Sequence, residues 1–176
     1  MMKHHARKIL LMLKIVSNST PIIHLAKMNH LWLLKDYFHN IIIPEMVYQE
    51  CIVEGYQRDE IQLIKQADFL NIVAVKNTNM VKLLKADLDA GEAEAIALAK
   101  EINSDWILLD DSDARVKARL LELKITGTAG ILLRARLDHK IPSLKNALEN
   151  LKKTGFRICE TLVSRLLKEA QESITT

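Results

Sequence analysis

Five short runs of almost unbroken aliphatic residues, each followed by helical spacing, constrain this chain more than any other feature. They are Leu13–Ser17, Ile41–Ile43, Leu70–Val75, Trp106–Leu109 and a shorter piece near Ile125. A strand with one wet face alternates apolar and polar residues. These runs do not alternate, so both faces are expected to be covered, as in a parallel sheet between helices. Helical patterns fill the rest, at about 21–27, 30–37, 45–55, 59–67, 79–86, 90–103, 113–122, 129–138, 143–153 and 160–171. Strands alternating with helices predict crossovers and an open α/β sheet. No repeat, low-complexity tract or linker breaks the pattern. The expectation is one domain over residues 12–172, after an N-terminal extension over 1–11.

Local punctuation agrees. Pro21 and Pro44 are expected to open helices, with Ser19 or Thr20 capping the first. Asp89 followed by Glu92 reads as a capping box. Gly155 after Lys152 and Lys153 reads as a helix stop with cations in the last turn.

Composition narrows the function classes. Apolar residues make up 49% and charged residues 27%, which excludes a disordered chain. Aromatics are only 5%, so the core must be aliphatic and few rings are offered to bases. The two cysteines, Cys51 and Cys159, form no CxxC pair, which argues against a thiolate zinc site and a disulfide framework. Lys3, Arg7 and Lys8 before Ile9–Leu13 imitate a secretory signal, but Lys14 interrupts the apolar run and no small-residue cleavage site follows. No run approaches the length of a membrane span. The expectation is a soluble, cytoplasmic protein.

The net charge of +3 hides a segregation. Residues 15–111 carry 8 Lys/Arg against 15 Asp/Glu, and residues 112–168 carry 13 against 5. Such a division fits a protein that gathers carboxylates at one site and binds a polyanion beside it, although two separate solvated faces would give the same counts.

Dinucleotide-binding GxGxxG, P-loop, HExxH and GxSxG motifs are all absent. What remains is carboxylate chemistry at four places. Trp106–Leu109 runs directly into Asp110, Asp111 and Asp113 before a helix, and ligands of open parallel sheets bind beyond the strands' carboxyl ends. One acid would suffice as a cap; three crowd together at a cost in repulsion. Glu92 opens a helix slimmed by Ala93, Ala95, Ala97 and Ala99, where it serves equally as a capping-box member; Glu94 faces elsewhere and reads as a solvated charge. Val47, Glu50, Cys51 and Glu54 share one helical stripe, so Glu50 sits among apolar neighbours and needs a partner. Asn18 follows the first strand and is free to point across the strand ends. Oxygen ligands without His or Cys select Mg²⁺ or Mn²⁺, and such an ion suits phosphodiester hydrolysis. Arg115, Lys117, Arg119, Arg134 and Arg136 are candidates for phosphate contacts, each of which solvation of a helix face would also explain. An Asp-Ser-Asp sequence after a strand leaves a phosphatase nucleophile at Asp111 as a further reading.

Taken together, these places resemble successive motifs of the PIN-domain proteins. The match runs from Ile15–Asn18 and the Thr20-Pro21-Ile22-Ile23 segment through Ile43–Glu50 and Leu88–Ala99 to Leu108–Arg115 and Gly127–Leu132, in that order. The prokaryotic PIN-like subgroup related to VapC-type toxins is the most similar. The resemblance covers roughly residues 12–170 and implies a doubly wound, Rossmann-like sheet with an acidic, Mg²⁺- or Mn²⁺-dependent ribonuclease site. By position it puts Asn18, Glu50, Glu92 and Asp111 in the catalytic and metal-binding set, with Asp110 beside them and Asp113 as an extra ligand. Thr128 matches a small polar residue near the site and joins Arg115 and Arg119 as the residues expected to bind substrate. It also implies a homodimer and a small antitoxin that blocks the site. Asn18 departs from the family pattern: it stands where the first-strand Asp usually is and brings an oxygen without a charge. That opens an alternative, a catalytically weakened or inactive protein that binds RNA or a partner.

Overall fold

The aliphatic runs become β1 (Ile15–Ser17), β2 (Ile41–Pro44), β3 (Leu70–Val73), β4 (Trp106–Leu108) and β5 (Ile125–Thr126) in a computed structural model that describes residues 13–53 and 59–172. The extension expected over residues 1–11 and Glu54 lie outside the described residues. All five strands join one parallel sheet in the order β3-β2-β1-β4-β5. Val16 pairs with Ile42 on one side and with Ile107 on the other. The chain therefore builds outward from β1 through β2 to β3, then returns to the opposite side of β1. That reversal lies between β1 and β4, and the crevice beyond their carboxyl ends is where such sheets hold ligands.

Ten helices accompany the sheet among the described residues: α1 (Ser19–Lys27), α2 (Trp32–Phe38), α3 (Glu45–Val53), α4 (Asp59–Lys65), α5 (Thr78–Leu84), α6 (Ala90–Glu101), α7 (Ser112–Leu120), α8 (Thr128–Leu137), α9 (Leu144–Lys153) and α10 (Glu160–Glu169). The alanine-rich α6 packs against β1, β2 and β4 and is flanked by α3, α5 and α7. Its Ala93, Ala95, Ala97 and Ala99 are fully buried with Ile96 and Leu98, because small side chains let a helix be covered on several sides. α9 is the amphipathic opposite, burying Leu144, Ala147, Leu148 and Leu151 along one stripe.

Some local expectations shift. α1 starts at Ser19, with Asn18 as its cap residue in extended conformation and without a side-chain cap bond. Pro21 thus sits inside the first turn, where an amide would lack an intrahelical acceptor anyway. Pro44 ends β2 opposite Val73 instead of opening α3. The even burial expected of every strand fails at β3, where Ile72 is 47% and Val73 38% exposed. β3 is an edge strand, which no partner strand or helix covers fully. Gly155 follows α9 at φ +91°, the left-handed stop its sequence predicts. No helix among the described residues is long and apolar enough to cross a membrane.

Candidate active site at the carboxyl edge of the sheet

β1 delivers Asn18 to the crevice. Its backbone amide donates to the Leu108 carbonyl of β4 at 3.0 Å, so the exits of the two central strands are tied together. Asn18 is buried to 1% exposure. Next to it, the Ser19 hydroxyl lies 2.6 Å from Glu50 Oε2 and 3.5 Å from Asn18 Oδ1. A hydroxyl has one hydrogen to give, and the shorter contact takes it. Glu50, which the sequence left among apolar neighbours, thereby gains a donor from a different helix. Its carboxylate also lies against Gly91 at the start of α6, where an added Cβ would overlap it. Glycine at 91 is what lets the Glu50 carboxylate lie directly against the start of α6.

Glu92 follows on the same turn. The capping box is present: Asp89 accepts from the Glu92 amide at 2.7 Å, and Glu92 Oε2 accepts from the Asp89 amide at 3.4 Å. Glu92 is 8% exposed. Burial first, then the negative charges of Asp89, Asp111 and Glu50, push its carboxyl up to about 7. The capping and site readings of Glu92 are therefore both satisfied. Asp111 behaves likewise: its Oδ1 caps α7 by accepting from the amides of Asp113 at 2.8 Å and Ala114 at 2.9 Å, while the side chain stays exposed. Asn18, Glu50, Glu92 and Asp111 thus meet at one edge of the sheet.

Asp110 goes elsewhere. Its Oδ1 accepts from the Thr128 amide at 2.8 Å and its Oδ2 from the Thr128 hydroxyl at 2.6 Å, which joins β4 to the N-terminus of α8. Burial raises its pKa, against the opposing pull of Thr128 and of the Arg115 charge. Both oxygens being engaged, Asp110 and Thr128 form a clamp behind Asp111, where sequence had suggested a metal ligand and a substrate contact. Gly127 is required there, since a Cβ would come within 2.5 Å of Asp110 Oδ1 and 2.8 Å of the Leu109 carbonyl. Arg115 donates to that same carbonyl at 2.8 Å. Of the other phosphate candidates, Lys117 pairs with Asp87, Arg134 with Asp138 and Arg136 with Glu172. Arg119 is exposed, and its side chain carries no hydrogen bond or ion pair among the described residues. Asp113 is exposed too, and its amide, not its carboxylate, is engaged. Sequence reasoning missed two contributors. Ser19 was legible only as a cap, and Gly91 only as part of a capping box.

Among the described residues, no three His, Cys, Asp or Glu side chains stand grouped as a ready metal site. The donor chemistry nonetheless fits a hard divalent cation. All the donors are oxygens, burial and then neighbouring carboxylates lift Glu92, and Asp111 Oδ2 and Glu92 Oε1 carry no hydrogen bond among the described residues.

Comparison with known proteins agrees with this architecture. A family model described as a PIN domain matches residues 14–172. Among solved structures, the chain is similar to a PilT N-terminus domain protein from the hyperthermophilic archaeon Sulfolobus solfataricus P2. That match has a TM-score of 0.51 at 19% identity, and covers 69% of this chain and 92% of that one. At this identity the likeness speaks for the fold alone. No curated protein matches the chain.

Proposed function

The chain belongs to the PIN-domain family, a fold family generally of nucleases, and from that premise we propose that it is a Mg²⁺- or Mn²⁺-dependent ribonuclease hydrolysing single-stranded RNA. The observation supporting this is the gathering of Glu50, Glu92 and Asp111 at one edge of the sheet, where burial first and then the charges of Asp89, Asp111 and Glu50 push Glu92 up to about 7. A hard divalent cation is the kind of ligand such oxygens suit. Asp111, Glu92 and Glu50 would hold the ion, directly or through waters, with Asn18 adding a neutral carbonyl oxygen. When bound, the ion lowers the pKa of its water and offsets charge gathering on the phosphate.

The chain's own residues prepare that chemistry. Ser19 holds Glu50 by its hydroxyl, and the α7 amides hold Asp111 by Oδ1. The Asp110–Thr128 clamp fixes the strand exit from which Asp111 projects. Glu92, lifted towards neutrality, can hold or release a proton at its carboxyl near physiological pH. Arg115 and Arg119, on α7 beyond Asp111, contact the RNA phosphates. A small antitoxin covering this mouth and association of two chains are further parts of the proposal, drawn from family membership.

Incubating RNA with the purified protein tests it. Cleavage is expected with Mn²⁺, is abolished by EDTA, and falls about a hundredfold or more in Asp111→Asn. Cleavage that persists in EDTA, or that Asp111→Asn leaves intact, overturns it. One observation favours a second reading, binding without turnover: Asn18 withholds the fourth negative charge and the acids are committed to caps. Asn18→Asp discriminates, because a large gain in cleavage identifies a weakened enzyme.

A further inference from the structure

Glu94 and Glu45 take no part in the mouth just described. α6 rises about 1.5 Å per residue, so Glu94 stands only about 3 Å further along the axis than Glu92 and is turned to another side. There it borders a cavity of 260 Å³ at the carboxyl ends of β2 and β3. One wall carries Glu45 from the first turn of α3 and Glu94 from α6; the other carries Lys82 and Lys85 from α5 and the segment after it. Val75 and Val81 line it with aliphatic surface.

The charges are opposed but not paired. Glu45, Lys82 and Lys85 make no side-chain hydrogen bond or ion pair among the described residues. Glu94 gives Oε2 to the Met46 amide at 3.3 Å and leaves its other oxygen without a bond. A phosphate would be repelled by the acids and a simple cation by the lysines. The cavity calls for a small flat group with donors on one edge and acceptors on another, between aliphatic faces.

Resting on the reading that the mouth cleaves RNA, we propose that this cavity holds an unpaired guanine of the substrate. Guanine presents N1–H and the N2 amino group to the Glu45 and Glu94 carboxylates, which only accept. Its O6 and N7 acceptors then face Lys82 and Lys85. Adenine has no carbonyl for the lysines. Uracil offers a single N–H between two carbonyls. Single-stranded RNA is the form in which a base can be turned out and read on its edges.

The test is binding of the full chain, by fluorescence anisotropy in EDTA at fixed salt, so that turnover plays no part. The probes are short uridine-rich oligoribonucleotides carrying one central guanosine, inosine, 7-deazaguanosine or adenosine. Guanosine is expected to bind about tenfold tighter than adenosine. Inosine, without the amino group, and 7-deazaguanosine, without N7, each lose part of that gain. Glu45→Gln with Glu94→Gln should make guanosine and inosine equivalent, and the amide oxygen introduced by Glu94→Gln still accepts from Met46. Lys82→Ala with Lys85→Ala should make guanosine and 7-deazaguanosine equivalent, with thermal melts confirming that each pair of substitutions leaves the fold intact. Equal binding of guanosine and adenosine oligonucleotides by the wild type overturns the guanine assignment and leaves the ribonuclease reading standing. Discrimination that survives both pairs of substitutions also overturns it. If no oligonucleotide binds at all, the guanine assignment falls, and the ribonuclease reading is decided by the cleavage assay with Mn²⁺.

Discussion

Two carboxylates at helix N-termini in this molecule titrate in opposite directions. Glu92, in the first turn of α6, is up at about 7; Glu172, which comes after α10 and sits over the start of α9, is down at about 2. Burial acts upward on both and is the largest influence on each. What replaces the lost water decides the sign. Glu172 receives Arg136 Nε at 2.6 Å, the Leu144 and Lys145 amides at 2.8 and 2.9 Å, and the Ser143 hydroxyl at 3.0 Å. Glu92 receives one amide at 3.4 Å and faces Asp89, Asp111 and Glu50. The lesson is that a helix N-terminus alone does not settle a carboxylate. The carboxylate of the tail is met by a guanidinium and three further donors, whereas Glu92 is met by one long amide contact and by the charges of other acids.

The largest effect is expected at the satisfied end. Glu172→Ala strips Arg136 and the α9 amides of their acceptor together and should cost about 3 kcal/mol at pH 7, roughly 6–12 °C in melting temperature. Because the folded pKa is depressed, this contribution is present above the ordinary carboxylate value of 4.5 and is lost as pH falls from there through 2. The gap between wild type and variant should therefore close in urea titrations repeated at about pH 2. A gap that stays constant with pH would mean that the ion pair contributes nothing.

Second in size is Thr128→Val, which keeps the shape but removes the hydroxyl from Asp110 Oδ2. A buried acid left with only the Thr128 amide should lower stability by about 2 kcal/mol. It should also push the already raised Asp110 pKa further up. Deformation of the strand exit would lower RNA cleavage as well. Unchanged melting together with unchanged cleavage would show that the clamp is dispensable.

These two sites mark where the sequence stops being legible. The strands and helices could be placed within a few residues because periodicity and burial act locally, and the capping box at Asp89–Glu92 is a local signal too. Asn18 and Asp111 could be singled out because a parallel sheet brings the residues just beyond its strands to one edge, Glu50 because it shares a stripe with apolar neighbours, and Glu92 because it opens a helix. The Arg136–Glu172 pair spans 36 residues and the Asp110–Thr128 clamp 18, and no spacing rule announces either. So Arg136 read as a phosphate contact and Glu172 as a tail charge. Asp110 differs from Asp111 by one position along an extended backbone, where successive side chains point to opposite sides. Composition treats the two as equals, and only the tertiary position of Thr128 separates them. Edge exposure at β3 escaped for the same reason, since Ile72 and Val73 look like core until the strand order is known.

A smaller effect, of opposite sign, is expected at the unsatisfied end. Glu92→Gln keeps an acceptor for the Asp89 amide and removes the charge. Since the folded pKa is raised, the native state is penalised only once Glu92 ionises. That penalty is absent below about 4.5, grows as pH rises and is complete above about 7. The variant should gain about 1–2 kcal/mol over wild type in EDTA at pH 8 and nothing at pH 4. Millimolar Mn²⁺ should reverse the order, because a ligand of the native state stabilises the protein that binds it better. A gain indifferent to pH would show that charge is not what Glu92 contributes.

Asn18→Asp sharpens the contrast from the other side by making the mouth still less satisfied. The new carboxylate would take the place of Asn18 Oδ1, 3.5 Å from the Ser19 hydroxyl whose single hydrogen already goes to Glu50. One hydrogen cannot serve two anions, so in EDTA at pH 8 the variant should lose about 1 kcal/mol, and Glu92 should ionise at still higher pH. The loss should fade as pH falls and the acids protonate. With Mn²⁺ the same charge becomes an advantage, and the metal-induced rise in melting temperature should exceed that of the wild type. That crossing of the two melting curves, destabilised without metal and stabilised with it, is what a shared cation site requires. If Asn18→Asp lowers stability equally with and without Mn²⁺, residue 18 does not face the ion, and Asn18 is a buried cap residue of α1 and nothing more.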